Sequence, residues 1–140
     1  MNSVKHTEYN KRSHSSYLLQ AHIIFVTKYR RSVLTGKILA KAEEIIFREC
    51  VKLKSELIEF NGVPDHVHMI ISYHPSLSIS HLVRVLKSCT GRELKLHFPE
   101  LNQAAWRKNA LWSPSFFASS VGGAPLHVLQ QYIKQQDRPH

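Results

Sequence analysis

The sequence predicts an α+β domain with a ferredoxin-like or RRM-like β-α-β-β-α-β order, an antiparallel sheet and an additional C-terminal helix. Three observations predict this fold. Short segments rich in β-branched and aromatic residues, such as 17–27 and 66–73, are typical of strands. Two longer segments carry apolar residues at helical spacing. A turn signal at 62–65 separates two strands by so few residues that they must be antiparallel.

The first half of the pattern contains a strand, a helix and a second strand. Tyr17 to Thr27 is the first predicted strand, and Thr35 is a candidate N-cap for the helix that follows. Glu56 to Asn61 alternates in polarity and is the second predicted strand. The apolar stripe of the helix comprises Ile38, Leu39, Ala42, Ile45, Ile46 and Leu53.

The second half begins with a strand from His66 to Tyr73 and a helix from Ile79 to about His97, with Ser78 as its N-cap. Residues 98–111 are predicted to be a loop and 113–121 a short fourth strand. Gly122-Gly123 then interrupts the chain before a final helix, whose first turn accommodates Pro125. That helix carries Leu126, Leu129, Tyr132, Ile133 and Gln136.

Length and charge restrict the class of protein. A chain of 140 residues fits one domain, here 17–140, preceded by a polar arm at 1–16 without the apolar stretch of a signal peptide. The longest apolar runs are too short to span a bilayer, so we expect a cytoplasmic protein with no membrane partner. Nineteen Lys and Arg against ten Asp and Glu favour nucleic acid as the partner. Cys50 and Cys89 are expected to be free thiols.

His66 and His68 are candidate metal ligands. Side chains alternate along a strand, so these two imidazoles share one face while Val67 and Met69 point to the other. Two imidazoles on one face of a strand can chelate a divalent ion. The alternative is an ordinary polar strand face, because His-x-His also occurs by chance.

Tyr132 is a candidate nucleophile. Gln136 lies four residues later, so on a helix the phenol and the amide share a face, and Gln136 could add an oxygen ligand to the metal. A phenol beside a metal-bound phosphate can attack it. Taken alone, Tyr132 is better explained as a half-buried aromatic, and other tyrosines remain open as alternatives. These are Tyr9, Tyr17, Tyr29 and Tyr73.

Several residues are candidate contacts to nucleic acid. Tyr29 and Trp112 could stack on unpaired bases, although a tryptophan is more often a core anchor. Each basic residue is equally well explained as a solvated surface charge. The candidate phosphate contacts are Lys28, Arg30, Arg31, Arg84, Lys87, Arg92, Arg107 and Lys108.

With these residues, the chain resembles the small single-tyrosine HUH transposases of bacterial insertion sequences, a family named for two histidines around a hydrophobic residue. The resemblance extends from about Tyr17 to Gln136. The segments that carry it are His22 to Arg31, with Thr27-Lys28-Tyr29-Arg30-Arg31; Asn61 to Ile71, with His66-Val67-His68; Leu111-Trp112-Ser113-Pro114-Ser115-Phe116-Phe117 through Gly123; and Tyr132-Ile133 with Gln136.

The resemblance implies a role for each matching residue. Tyr132 matches the nucleophile, His66 and His68 match metal ligands, and Gln136 matches the polar residue that often completes the metal site. The ion implied is Mg²⁺ or Mn²⁺, whereas imidazoles alone would favour zinc. No nucleotide cofactor is implied. Only four residues follow Gln136, so we expect the final helix to be short.

The resemblance also implies partners and a reaction. Such proteins act as homodimers on hairpins in single-stranded DNA, form a 5′-phosphotyrosine bond and release a 3′-OH. Their tyrosine helix can complete the active site of the other subunit, and Gly122-Gly123 is where it would pivot here.

Three alternatives stay open at this stage. A related HUH nickase acting on repeated palindromes would share the chemistry. A non-catalytic RRM-like binder would need exposed aromatics on its central strands, where the sequence instead has histidines. A metal-dependent hydrolase of small molecules is disfavoured by the net charge of +9 and by the lack of carboxylates clustered near the histidines.

Overall fold

The computed structural model describes residues 19–102, 110–121 and 126–136. Several expectations fall on residues outside these ranges. They concern the polar arm at 1–16, Tyr9, Tyr17, Arg107, Lys108, Gly122-Gly123 and Pro125.

The elements follow the predicted order. The strands are β1 (Leu19–Val26), β2 (Glu56–Val63), β3 (His66–Tyr73) and β4 (Phe117–Ser120). The helices are α1 (Gly36–Lys52), α2 (Ile79–His97) and α3 (Leu126–Lys134). Two 3₁₀ turns, Lys28–Arg30 and Pro99–Asn102, lie between them. The N-caps predicted at Thr35 and Ser78 are confirmed, since their hydroxyls accept from the backbone N–H of Ile38 and His81 at 3.4 and 3.0 Å.

The four strands form one antiparallel sheet in the order β2-β3-β1-β4. This places β1 and β3 at the centre. The register pairs Ile24 with His68 on one side and with Phe117 on the other. Paired residues share a face of an antiparallel sheet, so these three side chains form one row across it.

The core lies on the other face, where α1 and α2 cover the sheet. Ile23 and Phe25 of β1 and Met69 and Ile71 of β3 are fully buried there. The two helices add their own apolar stripes to the same cluster. Full burial of each such side chain stabilises the fold by roughly 1.5–3 kcal/mol. The face with the histidines is therefore the one that the two core helices leave uncovered.

The turn between β2 and β3 is tighter than predicted. β2 continues through Val63, and only Pro64 and Asp65 form the turn. Gly62 was read as part of the turn, but its role is one of packing. A Cβ at this position would lie 2.4 Å from Cδ2 of Leu39, so a larger residue here would require the Leu39 side chain to move.

Two C-terminal elements are shorter than predicted. The strand expected at 113–121 spans only Phe117–Ser120. Pro114 has no N–H to donate to a strand partner, and Trp112 forms only an isolated bridge to Thr27. The helix α3 ends at Lys134, so Gln136 lies beyond it rather than on its face.

Candidate active site

The two predicted metal ligands lie on the uncovered face of the sheet. His66 and His68 of β3 are half-buried, with ring centroids 6.3 Å apart. His66 pairs across the sheet with Val26 and Val63, and His68 pairs with Ile24 and Asn61. Because β3 is hydrogen-bonded on both sides, the main chain of both histidines is fixed by the sheet itself.

Asp65 orients the ring of His66. Its carboxylate Oδ1 lies 2.8 Å from His66 Nδ1, and its Oδ2 lies 3.4 Å from Arg30 Nη2. The backbone carbonyl of Asp65 accepts from the N–H of Thr27 at 3.0 Å. A carboxylate on Nδ1 leaves Nε2 of the imidazole for a metal, which is the usual outer-shell arrangement of histidine ligands.

His68 has an environment that keeps it neutral. Burial, followed by repulsion from His22 and His66, lowers the pKa of His68. The neutral imidazole is the form that binds a metal. Both rings therefore suit a divalent ion. Asp65 orients the ring of His66, and the lowered pKa of His68 favours its neutral, metal-binding form.

His22 is a third imidazole on this face that the sequence interpretation did not assign to the site. Its ring centroid lies 5.7 Å from that of His68, and its buried Nε2 has no hydrogen-bond partner. Alternation along β1 puts His22 on the same face as Ile24, which pairs with His68. The alternation along β1 would have identified His22 as a site residue, had the pairing of β1 with β3 been known.

Tyr132 lies over the same face of the sheet. Its ring packs against Phe117, with centroids 5.5 Å apart, and Phe117 belongs to the row that contains Ile24 and His68. Its phenol oxygen lies 3.0 Å from Ser115 Oγ. Burial raises the pKa of Tyr132, and the hydrogen bond with Ser115 partly opposes that rise.

Gln136 meets Tyr132 through the same serine. Its Oε1 accepts from Ser113 Oγ at 2.7 Å and from Ser115 Oγ at 3.3 Å. Its Nε2 donates to the backbone carbonyl of Tyr132 at 3.2 Å. The structure thus brings the two predicted residues together, both by this direct bond and through Ser115, which contacts each of them.

The tyrosine and the histidines remain separate in this conformation. Within the described ranges, no hydrogen bond or ring contact joins Tyr132 or Gln136 to His66 or His68. The reason is topological, because β1 lies between β3 and β4. Two strand spacings amount to about 10 Å. The site has two halves on one face with β1 between them.

The candidate nucleic-acid contacts near β1 cluster around one exposed tyrosine. Tyr29 and Arg30 have left-handed φ angles of 61° and 54°. Tyr29 is 36% exposed, with the Lys28 ammonium 5.6 Å and the Arg31 guanidinium 5.9 Å from its ring centre. An exposed ring flanked by cations suits base stacking beside a phosphate backbone. Arg30 instead pairs with Asp65.

Trp112 and Lys87 are placed differently from the expectation that they contact DNA. Trp112 is 3% exposed and its Nε1 donates to Thr90 Oγ1 at 2.7 Å. It is therefore part of the core and does not offer its ring for stacking on a base. Lys87 is half-buried, and its ammonium donates to the backbone carbonyls of Ser113 and Ser115. Arg84 and Arg92 are exposed and line a groove of about 610 Å³ beside the 110–116 segment.

A second group of possible metal ligands lies in the helix layer. Glu49, Cys89 and Glu93 offer ligand atoms within 4.8 Å of one another. Both carboxylates already bind the guanidinium of Arg48, which supplies the positive charge there. The cluster is therefore an ion-pair network between α1 and α2.

No helix in the described ranges is long and apolar enough to cross a membrane.

Comparison with known proteins decides the family. Residues 15–136 match the family model of IS200-like transposases. The chain belongs to this family. The resemblance noted from the sequence is thereby confirmed, and so is the α+β fold with its tyrosine on an added helix.

Relatives of this IS200-like transposase agree over most of their length. The ISDra2 transposase TnpA of Deinococcus radiodurans is 32% identical over 120 residues, which cover 86% of this chain and 85% of that protein. The transposase of insertion element IS200 from Salmonella typhimurium is 27% identical over 124 residues, covering 89% and 80%.

Solved structures give the same result. A crystal structure of a candidate transposase from Deinococcus radiodurans R1 has a TM-score of 0.78 at 30% identity, covering 88% of this chain and 94% of that one. A REP-associated tyrosine transposase bound to a REP hairpin has a TM-score of 0.55 at 14% identity, covering 84% and 64%. The second likeness shows a shared fold alone.

Family membership fixes the class of activity. An IS200-like transposase cuts and joins DNA strands during transposition of an insertion sequence, so this chain is an enzyme of DNA recombination. The non-catalytic RRM-like binder and the hydrolase of small molecules are thereby set aside.

Proposed function

We propose that this transposase cleaves and rejoins single-stranded DNA through a 5′-phosphotyrosine bond on Tyr132, with a divalent ion held by His66, His68 and Gln136. The observation that carries the proposal is that Tyr132 and the two histidines lie over one face of the sheet, the face that α1 and α2 leave open. A DNA strand laid across that face would meet both halves.

The chemistry is a transesterification. The Tyr132 oxygen attacks the phosphorus, a Tyr–O–P bond forms, and the bond from phosphorus to the 3′ oxygen breaks. The phenol gives up its proton and the leaving 3′ oxygen takes one up. Bond energy is kept in the phosphotyrosine, so no nucleotide cofactor is required. The raised pKa of Tyr132 means that the phenol needs help to ionise, and Ser115 gives part of it.

The proposed ion is Mg²⁺ or Mn²⁺, which would neutralise charge on the scissile phosphate. His66 and His68 would hold it through ring nitrogens, with Asp65 fixing the ring of His66. Gln136 would have to exchange its serine donors for the ion, because both serines bond to Oε1, the atom that would bind the ion.

The proposed substrate is a hairpin in single-stranded DNA at the ends of the element. The net charge of +9 and the cation-flanked ring of Tyr29 support a partner with phosphates and unpaired bases. We propose a homodimer in which α3 of one subunit can serve the histidines of the other. The two strand spacings between Tyr132 and His68 within one chain motivate this exchange.

The test uses 3′-labelled single-stranded DNA from the palindromic flanks of the gene, incubated with the protein and Mn²⁺. Wild-type protein should form a covalent adduct that survives denaturing electrophoresis and maps to Tyr132. Tyr132→Phe should bind the DNA and form no adduct, whereas Tyr73→Phe, the matched control, should react normally. An adduct at Tyr29 or Tyr73, or normal cleavage by Tyr132→Phe, would overturn the assignment.

Sharing of sites has its own experiment. A His66→Ala subunit and a Tyr132→Phe subunit are each expected to be inactive. If α3 serves the partner's histidines, mixing them restores one intact site per dimer and a corresponding fraction of the activity. Activity of a strictly monomeric protein, measured by light scattering at the assay concentration, would refute the shared arrangement.

A further inference from the structure

Lys87 is a cation whose donors are used inside the protein. It lies on α2, half-buried, and its ammonium donates to the carbonyl oxygen of Ser113 at 2.6 Å and to that of Ser115 at 3.1 Å. The same ammonium lies 5.8 Å from the ring centre of Phe25. Hydrogen bonds from a charged donor are roughly twice as strong as neutral ones.

The two carbonyls belong to the residues whose hydroxyls hold the tyrosine half of the site. Ser115 Oγ lies 3.0 Å from the phenol oxygen of Tyr132, and Ser113 Oγ donates to Gln136 at 2.7 Å. A continuous series of hydrogen bonds therefore connects α2, through Lys87 and two serines, to both Tyr132 and Gln136.

Other anchors hold only the start of this segment. Trp112 donates to Thr90, and the N–H of Ser113 donates to the carbonyl of Val26 at 2.7 Å. From Pro114 to Phe116, the bond from Lys87 to Ser115 is the hydrogen bond that fixes the backbone within the described ranges. Lys87 therefore holds the backbone of Ser115, whose hydroxyl contacts Tyr132.

We propose that Lys87 is a positioning residue for strand cleavage, which holds the 113–115 segment so that its serines place Tyr132 and Gln136. This rests on the proposed role of Tyr132. It replaces the sequence-based expectation that Lys87 contacts a DNA phosphate.

Lys87→Met is the decisive variant, because it keeps the aliphatic stem and removes the donors. We expect single-turnover adduct formation at saturating protein to slow about 10- to 100-fold, as misplacement of a reacting group does. The Kd for hairpin DNA and its salt dependence should stay within twofold of wild type. Lys37→Met, which removes an exposed charge from the first turn of α1, should leave both the rate and the Kd unchanged.

The phosphate-contact interpretation gives the opposite result. A lost phosphate contact weakens binding and lowers the slope of log K against log salt by about one. That pattern, with an unchanged rate at saturation, would overturn the proposal.

A second variant distinguishes a local effect on this segment from a general folding defect. Ser115→Ala acts on the same series of bonds, so combining it with Lys87→Met should slow the reaction less than the product of the two single effects.

A measurement without DNA separates this proposal from the assignment of the nucleophile. In protein labelled with 3-fluorotyrosine, the resonance of Tyr132 is the one that disappears in Tyr132→Phe. Lys87→Met should shift it and leave the Tyr73 resonance in place, because Tyr73 does not line the pocket that the 113–115 segment shares with Gln136. An unshifted Tyr132 resonance would overturn the proposal. If the resonance shifts but Tyr132→Phe still cleaves DNA, Lys87 positions the segment and the nucleophile has been assigned wrongly.

Discussion

The two halves of the active site are held by different kinds of interaction. His66 and His68 lie on a central strand, with hydrogen-bonded strands on both sides and the buried Val67 between them. Tyr132 lies on a nine-residue helix, and none of the described side chains of α3 is fully buried. The ring of Tyr132 packs against Phe117, and its phenol oxygen contacts Ser115, whose carbonyl Lys87 holds.

This difference separates what the fold fixes from what can move. Moving the histidines would break the hydrogen bonds of the sheet, whereas moving α3 would break side-chain contacts such as those of Tyr132 and Gln136. A helix this short is marginal on its own and depends on its tertiary contacts. In the proposed mechanism, the half that carries the covalently bound DNA is thus the half that the fold leaves free to move.

The largest expected effect is on hydrogen exchange. Amides of β3 should exchange only when the whole domain unfolds, while those of α3 should exchange by local opening. With global stabilities of several kcal/mol, this makes exchange in α3 faster by about 10³-fold or more. Exchange followed by NMR or mass spectrometry tests this, and equal protection of the two elements would show that α3 is as firmly held as the sheet.

The same difference explains how far the sequence could predict the site. The strand His66–Tyr73 was predicted with its bounds, because alternation and a tight turn are local signals. The neighbouring turn was predicted to begin two residues early, because Gly62 belongs to β2, where it packs against Leu39, a residue distant in sequence.

The tyrosine half was predicted less well, because its geometry depends on contacts between distant residues. Neither the bond of Lys87 to the 113–115 segment nor the hold of Ser113 on Gln136 has a local sequence signal. The sequence predicted that Tyr132 and Gln136 share a helix face, and Gln136 does contact the Tyr132 carbonyl, although the helix itself ends at Lys134. His22 was missed because its role depends on which strand lies beside β1.

Asp65 tests the histidine half at the proposed metal site. Asp65→Ala removes the acceptor that orients His66, and loss of such an outer-shell carboxylate weakens metal affinity by about 10- to 100-fold. Mn²⁺ titration by calorimetry measures this. Asp65→Asn keeps an oxygen acceptor and should recover most of the affinity. Glu59→Gln removes an exposed carboxylate on β2 and is the charge-matched control. An equal loss of Mn²⁺ affinity in Glu59→Gln would mean that Asp65 acts only through its negative charge and not by orienting His66.

Ser115 tests the tyrosine half through pH. The pKa of Tyr132 is raised by burial, and the bond to Ser115 opposes that rise, so Ser115→Ala should raise the pKa further. Less phenolate is then present at any pH below that value. We expect cleavage at pH 8 to slow by about three- to tenfold, the size of one hydrogen bond, and the pH profile to move upward.

Rates of adduct formation against pH give the comparison for Ser115→Ala. Ser119→Ala on β4 should keep the wild-type profile, because among the described residues its hydroxyl bonds to the carbonyl of Ser120 and not to Tyr132. Superimposable profiles for Ser115→Ala and wild type would mean that the serine does not influence ionisation of the phenol.

The smallest expected effect concerns the helix layer behind the sheet, and it distinguishes the two halves once more. Arg48 on α1 binds Glu93 on α2, with Nη1 2.9 Å from Oε1, and this hydrogen bond is the main reason why the pKa of Glu93 is lowered. A carboxyl whose pKa is depressed by folding stabilises the protein above its unfolded pKa. The contribution is lost as pH falls through the folded value. Because 41% of the Arg48 side chain is exposed, solvent screening limits the pair's contribution to the free energy of unfolding to about 1 kcal/mol at pH 7.

Glu93→Gln should therefore lower the free energy of unfolding at pH 7 by about that amount, and by progressively less as wild-type Glu93 is itself protonated at acidic pH. Urea unfolding at several pH values measures the difference. Hydrogen exchange of the same variant compares the two halves of the site.

In Glu93→Gln, amides of β3 should lose protection by about fivefold, the equivalent of 1 kcal/mol, because they exchange through global unfolding. Amides of α3 should not change, because their local opening leaves the Arg48–Glu93 pair intact. A matching loss of protection in α3 would mean that the tyrosine helix opens only with the whole domain.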